Sequence, residues 1–214
     1  MLGFLEEVKD GEERENLTQL SQLNATVSRM QKFETILSQQ NVDLPELCKL
    51  SWNGIPDLYR PISWQFLLGY LPLNHERRAA TLERKRKEYE EIVKESFGGN
   101  IDEAIHHQIS IDVPRTQPLS PLFKEEIVRK SLLRILYCWA IRHPASSYVQ
   151  GINDLATPFY AVFLSQYCTN SRNSLVLESK YENFDLSNVT EEQIFIVEAD
   201  TFWCLTKLLD GIQV

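Results

Sequence analysis

Positive charge is scarce in this chain. Its 214 residues include 22 lysines and arginines against 30 aspartates and glutamates, which gives a formal net charge of −8 and an isoelectric point of about 5.1. Nucleic-acid-binding domains usually carry a basic face, so this balance argues against a nucleic-acid partner. It also provides no general attraction to anionic lipid.

Cysteine is rare and scattered. The four cysteines stand at positions 48, 138, 168 and 204, and no two of them have the spacing of metal ligands or of a redox pair. We predict that Cys138 and Cys204, which lie in apolar helical stretches, are buried. Free, scattered thiols are typical of a reducing compartment, which favours a cytoplasmic location.

Long apolar runs are absent as well. The longest, Leu155 to Leu164, is much shorter than the roughly 20 residues that a membrane-spanning helix needs. The first five residues are followed at once by acids and lack the features of a secretory signal peptide. We therefore expect no direct membrane insertion, so that any membrane location would depend on a protein partner or on sequence outside this chain.

Strand patterns are missing, whereas apolar residues recur at helical spacing along most of the chain. Thr190 and Gln193 form a capping-box pattern at the start of the last apolar stretch. Ser120 and Pro121 suggest a helix start, since proline suits the first helical position. The pattern predicts helices at about 44–50, 58–68, 76–94, 121–142, 151–167 and 191–210. The fold class is therefore all-α, with a single domain.

Shifts in composition predict the domain organisation. Residues 1–30 are polar and acidic, which predicts a flexible lead-in with a weak helix around 17–30. The folded domain is expected over residues 31–214. Within it, residues 169–188 are polar and are interpreted as an insertion loop. Residues 96–120 have little periodicity, which predicts a long loop with one helical turn.

The predicted long loop contains an arginine in an unusual setting. Val113 and Pro114 precede Arg115, and proline restricts both its own φ and the residue before it, which predicts extended backbone that directs Arg115 outward. A guanidinium is a permanent charge in a planar fork that matches phosphate oxygens. The alternative is an ordinary surface arginine, paired locally with Asp112.

A second stretch, beginning at Ser147, reads Ser-Tyr-Val-Gln-Gly-Ile-Asn-Asp at the start of an apolar helix. The amide of Gln150 can accept a hydrogen bond from a water molecule and donate one to it. The alternative is simple helix capping by Ser147, Asn153 or Asp154, with Tyr148 half-buried.

A third stretch places Arg60 and Trp64 one helical turn apart. Trp64 is expected to anchor in the core, and Arg60 to pair with an acid, for which Asp112 is a candidate. The chain lacks a glycine-rich phosphate loop with lysine, a nucleophile elbow and any metal-ligand spacing. We therefore expect no nucleotide hydrolysis of its own and no metal site.

The three stretches together resemble the TBC domain of Rab GTPase-activating proteins. That family carries R-x-x-x-W, I-x-x-D-x-x-R and Y-x-Q, which stand here, in the same order, as Arg60–Trp64, Ile109–Arg115 and Tyr148–Gln150. The residues at 142–154 look most like the Golgi-associated subclass, the TBC domain family member twenty-two type. The resemblance extends over about residues 31–212.

The resemblance implies an all-helical, V-shaped domain that acts on a Rab-family small GTPase in its GTP state. Arg115 would be an arginine finger that neutralises charge on the transferring phosphoryl group, and Gln150 would orient the attacking water. Asp112 and Arg60 would hold the Arg115 loop, and Tyr148 would place Gln150. GTP and magnesium would belong to the partner, so that the chain needs no cofactor of its own.

The resemblance also implies that Trp64 supports the catalytic loops and that further helices belong to such a domain, which would make it incomplete at the carboxy terminus here. The expected location is cytoplasmic, with recruitment to Golgi membranes through an adaptor protein. Two other interpretations stay open. One is a non-catalytic module that binds a Rab or a Golgi adaptor, and the other is an all-helical scaffold unrelated to GTPases.

Overall fold

The computed structural model describes the backbone of residues 2–168 and 184–212, and the side chains of residues 19–168 and 184–212. These parts of the chain form eight α-helices and three short 3-10 helices, and their only extended pairing is an isolated bridge between Asn41 and Asn74. The predicted all-α fold class is therefore confirmed.

The helices are α1 (Leu2–Leu37), α2 (Leu44–Ser51), α3 (Arg60–Leu67), α4 (His75–Phe97), α5 (Glu103–Asp112), α6 (Glu126–Arg142), α7 (Ile152–Leu164) and α8 (Glu191–Ile212). Helix α1 runs through the predicted lead-in, where only a weak helix was expected; the flexibility of residues 1–30 stays a prediction. Most of the predicted insertion loop at 169–188 lies outside the described residues. Within the described part of the chain, no helix is both long enough and apolar enough to cross a bilayer.

Local capping explains where several helices begin. The hydroxyl of Thr190 accepts a hydrogen bond from the Gln193 amide at 3.2 Å, and the Gln193 side chain accepts one from the Thr190 amide at 3.0 Å. This confirms the predicted capping box of α8. The side chains of Asp43 and Asn74 accept backbone N–H bonds in the same way at the starts of α2 and α4.

Helix α6 begins later than the sequence predicts. Pro121 leads into a short 3-10 helix at Leu122–Lys124, and the backbone is extended at Glu125 before α6 starts. The predicted start at Ser120–Pro121 is therefore wrong. Burial of Leu122 and Phe123 in the core accompanies this bend, so tertiary packing overrides the local signal.

The main hydrophobic core surrounds α6, which is buried on several sides. Trp139 and Tyr137 of α6 are almost fully buried, together with Tyr160 of α7 and Phe202 of α8. A smaller cluster around Phe33 joins α1, α2 and α3. The three helices α6, α7 and α8 therefore form the rigid centre of the described structure.

Helix α8 carries a buried carboxylate at Asp200. Arg86 binds it through two hydrogen bonds, of 3.0 and 2.8 Å, while Tyr70 and Gln65 donate to the same carboxylate at 2.8 and 3.1 Å. Burial lowers the pKa of Arg86, but the hydrogen bonds and charge of Asp200 outweigh this and raise it overall. The four groups tie α8 to α4 and to the segment that ends α3.

A second buried carboxylate stands two residues earlier, at Glu198. Arg134 of α6 donates to both of its oxygens at 2.8 and 2.7 Å, and the Tyr89 hydroxyl donates at 2.8 Å. The hydrogen bond from Arg134 to Glu198 is the main reason that the pKa of Arg134 is raised. Both buried carboxylates, Asp200 and Glu198, thus accept two hydrogen bonds from an arginine and at least one more from another side chain. Because their hydrogen-bonding capacity is used in this way, the two ion pairs fix the position of α8 against α4 and α6.

The four cysteines provide a test of the core. Cys48 is exposed, whereas burial raises the pKa of the Cys138 and Cys168 thiols to about 11 and that of Cys204 well above its ordinary value. Because the thiolate is the reactive form, we expect one fast thiol per native chain in an aromatic-disulfide assay at pH 8, and four after unfolding. Cys48→Ser should remove the fast phase, and rapid reaction of three thiols would contradict this core.

Candidate functional site

Arg115 stands at the end of a helical segment rather than in an extended loop. Helix α5 continues into a 3-10 helix at Val113–Arg115, and Val113 has φ −54° and ψ −46°. The predicted extended backbone before Arg115 is therefore wrong. The Val113 amide donates to the Ile109 carbonyl and both side chains are buried in the core, so packing holds the helical conformation despite Pro114. Extended backbone begins only at Thr116.

The side chain of Arg115 nevertheless points to solvent, as the sequence predicts. It is exposed, and its guanidinium forms no hydrogen bond or ion pair with any residue that the structure describes. The alternative of a local pair with Asp112 is not observed, because that carboxylate accepts hydrogen bonds from Gln108 and Tyr148 instead. A permanent charge is thus presented without a partner within the described chain.

Gln150 lies at the tip of a tight turn that leads into α7. The Ile152 amide donates to the Val149 carbonyl at 3.2 Å, and Gly151 has a φ of +105°. Only glycine adopts such a φ readily, so Gly151 permits the turn that raises Gln150. Gln150 is exposed, and its amide has no hydrogen-bond partner among residues 19–168 and 184–212.

Both loops contain a non-glycine residue with left-handed backbone. Gln117, two residues after Arg115, has a φ of +47°, and Ser147, three residues before Gln150, has a φ of +54°. This conformation costs roughly 1–2 kcal/mol per residue, so it persists only where neighbouring structure holds it. Such outliers are typical of segments whose shape serves a site.

Tyr148 joins the two loops. Its hydroxyl donates to Oδ2 of Asp112 at 3.0 Å and lies 3.3 Å from Oδ1 of Asn153. A hydroxyl has one proton, and the bond to the carboxylate is the stronger of the two. Burial and the bond to Asp112 raise the pKa of Tyr148 well above its ordinary value, so it stays a donor at neutral pH.

A second hydrogen bond links the loops through residues that follow Arg115 and Gln150 in the sequence. Asn153 Nδ2 donates to Thr116 Oγ1 at 2.8 Å, and Thr116 Oγ1 donates to the Asp112 carbonyl at 3.0 Å. Asn153 Oδ1 accepts from the Gly151 amide at 2.9 Å. We call the four side chains Asp112, Thr116, Tyr148 and Asn153 the loop clamp.

Thr116 was missed by the reasoning from sequence, and Asn153 was considered only as a helix cap. The signal that could have identified them is their position in the sequence, since Thr116 directly follows Arg115 and Asn153 follows Gln150 by three residues. Both side chains are buried, at 2% and 6% exposure. Buried polar groups need hydrogen-bond partners, and here Thr116 and Asn153 are hydrogen-bonded to each other.

Arg60 does not pair with Asp112. It forms an ion pair with Asp57 at 2.7 Å and donates to the Ile55 carbonyl at 2.9 Å. The candidate pairing is therefore wrong, because an acid three residues away lies on the same turn while the carboxylate of Asp112 is bound by Tyr148. The role of Arg60 in supporting the Arg115 loop stays a prediction.

Trp64 packs on α7, as expected of a core anchor. Its ring meets Phe159 edge-on, with centroids 5.4 Å apart and planes at 79°. Trp64 is half-buried and lines an open apolar pocket of about 260 Å³ between α3, α7 and α8. It thus braces the helix that follows the Gln150 turn.

Comparison with known proteins bears on this arrangement. Residues 57–214 match the family model described as Rab-GTPase-TBC domain. The chain is 51% identical over 191 residues to human TBC1 domain family member 22B, a match that covers 87% of this chain and 36% of that protein. It is 47% identical over 203 residues to GTPase-activating protein GYP1 of Saccharomyces cerevisiae, covering 94% of this chain and 31% of the relative.

A solved structure has the same fold. The crystal structure of the Ypt/Rab-GAP domain of Gyp1p is 46% identical to this chain, with a TM-score of 0.80, over 87% of this chain and 58% of that one. The chain belongs to the Rab-GTPase-TBC domain family, which confirms the predicted resemblance. It spans about a third of the length of the curated relatives that it matches.

Proposed function

We propose that this chain is a GTPase-activating protein for a Rab-family small GTPase in its GTP state, and that it supplies Arg115 and Gln150 in trans. The observation that carries the proposal is the pairing of two exposed polar head groups, without partners among the described residues, on loops that a buried clamp holds together. The family relationship supports the same activity.

The two side chains suit the two needs of GTP hydrolysis. In phosphoryl transfer, charge is spread over the oxygens of the γ-phosphate, and catalysis consists mostly of positioning and of neutralising that charge. Arg115 can contact two of those oxygens at once through its planar fork. The amide of Gln150 can accept from the attacking water while donating to a phosphate oxygen.

Rigid supports stand behind both loops. Ile109 and Val113 anchor the Arg115 segment in the core, and Ile152 anchors the start of α7 directly after the Gln150 turn. Preorganised groups avoid the cost of reorganisation when the reaction occurs. The arrangement therefore favours a catalytic contribution over simple adhesion.

Single-turnover GTP hydrolysis by a panel of Rab proteins, with and without the chain, tests the proposal. We expect the chain to accelerate hydrolysis by at least one Rab. Formation of a stable complex with a Rab bound to GDP and aluminium fluoride, which mimics the transition state, is the independent check. Lack of acceleration across the panel would contradict the proposal.

A second candidate is a module that binds a Rab, or a Golgi adaptor, without accelerating hydrolysis. It is supported by the same exposed side chains of Arg115 and Gln150, which can contact a partner whether or not they accelerate its reaction. Saturable binding of a GTP-loaded Rab with no change in hydrolysis rate would support it. Recruitment to Golgi membranes through an adaptor is part of either proposal and rests on the resemblance to the Golgi-associated subclass.

Gln150→Ala is expected to lower stimulated hydrolysis strongly but to leave a measurable remainder. The reason is that Arg115 would still neutralise charge on the phosphoryl group, while the attacking water would no longer be oriented by the Gln150 amide. Single-turnover rates at saturating chain provide the measurement. Gln31→Ala, at an exposed glutamine of α1, is the control and should match wild type. A Gln150→Ala rate equal to wild type would remove Gln150 from the mechanism.

A further inference from the structure

We propose that the hydrogen bond between Thr116 and Asn153 sets the spacing between Arg115 and Gln150, which makes Thr116 and Asn153 positioning residues. The inference rests on the function proposed above and extends it to two residues outside the three sequence motifs. It concerns how the site is held, since neither buried side chain can itself touch a visiting nucleotide.

The position of the bond carries the inference. The clamp contains two cross-links between the loops, and they meet at Asn153, because the Tyr148 hydroxyl lies 3.3 Å from Asn153 Oδ1. Asp112 and Tyr148 precede Arg115 and Gln150, whereas Thr116 and Asn153 follow them. A single cross-link would leave the loops free to hinge about it, but two fix both separation and relative orientation.

The surroundings make this bond stronger than an exposed one. Thr116 and Asn153 are 2% and 6% exposed, so water competes little for their hydrogen bonds. Asn153 is also bound through its carbonyl to the Gly151 amide, at the residue after Gln150. The Thr116 hydroxyl in turn donates a hydrogen bond to the Asp112 carbonyl, three residues before Arg115. Each partner is thus hydrogen-bonded to backbone within three residues of one of the proposed fingers.

Thr116→Val tests the bond, since valine keeps the shape of threonine but removes the hydroxyl. We expect the maximal stimulated rate to fall by roughly 10²-fold, because a misplacement of about 1 Å in a catalytic group has that effect. The concentration of chain that gives half-maximal rate should change little, since the exposed surface is unaltered. Thr116→Ser keeps the hydroxyl and should restore most of the rate.

Thr201→Val is the matched control. Thr201 lies in α8, is fully buried, and its hydroxyl has no hydrogen-bond partner among the described residues. The same chemical change at an equally buried threonine should therefore leave the rate at the wild-type value. If Thr201→Val and Thr116→Val lowered the rate equally, the effect would come from general stability and the inference would be overturned.

A double substitution separates positioning from stability. If the bond acts by holding Gln150 against Arg115, Thr116→Val should cause a much smaller loss in a Gln150→Ala background than in the wild type. A purely structural role predicts the same fold-loss in both backgrounds. Equal losses would therefore overturn the inference.

Hydrogen exchange measured by mass spectrometry provides a readout that does not need a GTPase. In Thr116→Val, peptides covering residues 112–119 and 147–153 should both lose protection, whereas Thr116→Ser and Thr201→Val should keep it. Unchanged exchange in Thr116→Val, or loss in one loop alone, would overturn the inference. Failure of the wild-type chain to stimulate any Rab would instead contradict the proposed function, so the two failures are distinct.

Discussion

Arg115→Ala is expected to lower the stimulated rate of GTP hydrolysis by roughly 10³–10⁵-fold, which would bring it close to the Rab's own rate. This corresponds to about 4–7 kcal/mol of transition-state stabilisation. The physical reason is that the guanidinium alone delivers a full positive charge to the transferring phosphoryl group. Nothing else in the two loops can replace that charge, because Gln150 and the loop clamp are neutral apart from the carboxylate of Asp112.

Arg115→Lys should be nearly as damaging as Arg115→Ala. The lysine ammonium is a point charge and cannot bridge two oxygens in the way a planar fork does. Single-turnover hydrolysis with a responsive Rab measures both variants, and binding of the GTP-loaded Rab should be retained.

The control for Arg115 is Arg84→Ala, which removes an exposed arginine of α4 whose ion-pair partner among the described residues is Glu88, one turn away. Its rate should equal that of wild type. The melting temperature of Arg115→Ala should also be unchanged, since the side chain contacts no described partner. An Arg115→Ala protein that stimulates within about tenfold of wild type would exclude the arginine-finger mechanism.

Asp200→Ala is expected to destabilise the protein by about 3–5 kcal/mol, the typical effect of removing one partner of a buried ion pair. The substitution would leave Arg86 without its buried counter-charge and deprive Tyr70 and Gln65 of their acceptor. For a chain of this size the unfolding midpoint should fall by roughly 6–20 °C. Thermal unfolding followed by circular dichroism provides the measurement.

The control for Asp200 is Glu126→Ala at the start of α6. Its ion pair with Lys130 is as short, at 2.6 Å, but the two side chains are 80% and 64% exposed, so we expect no measurable shift in the midpoint. Equal midpoints for Asp200→Ala and wild type would show that α8 is not held by this pair. Loss of stimulation in Asp200→Ala should follow loss of folded protein, since Asp200 lies outside the loop clamp.

Much of the helical architecture was predictable because it depends on local interactions. The pattern at 76–94 matches α4 at His75–Phe97, and that at 191–210 matches α8 at Glu191–Ile212. Helical spacing of apolar residues and a capping box are properties of a few consecutive residues. They therefore identify helices before any packing is known.

The errors arise where packing opposes a local preference. Proline disfavours helical backbone in the residue before it, yet Val113 is helical because its side chain is buried and its amide bonds to Ile109. The predicted loop at 96–120 contains α5 for a different reason, a local signal that was overlooked: its N-cap, Asp102, accepts two backbone N–H bonds at 3.1 Å. A tertiary contact adds to this signal, since the Asp102 amide donates to the Tyr137 hydroxyl of α6 at 2.8 Å.

The helix pattern, the family and the two side chains proposed to act could be predicted from the sequence, because each depends on residues close together along the chain. The partners of the buried polar groups could not be predicted without the folded structure. Asp112 binds Tyr148 rather than Arg60, Thr116 binds Asn153 across the two loops, and Arg86 finds Asp200 across 114 positions of sequence. Such contacts depend on how buried surfaces pack, and a buried polar group takes whichever partner that packing brings within reach.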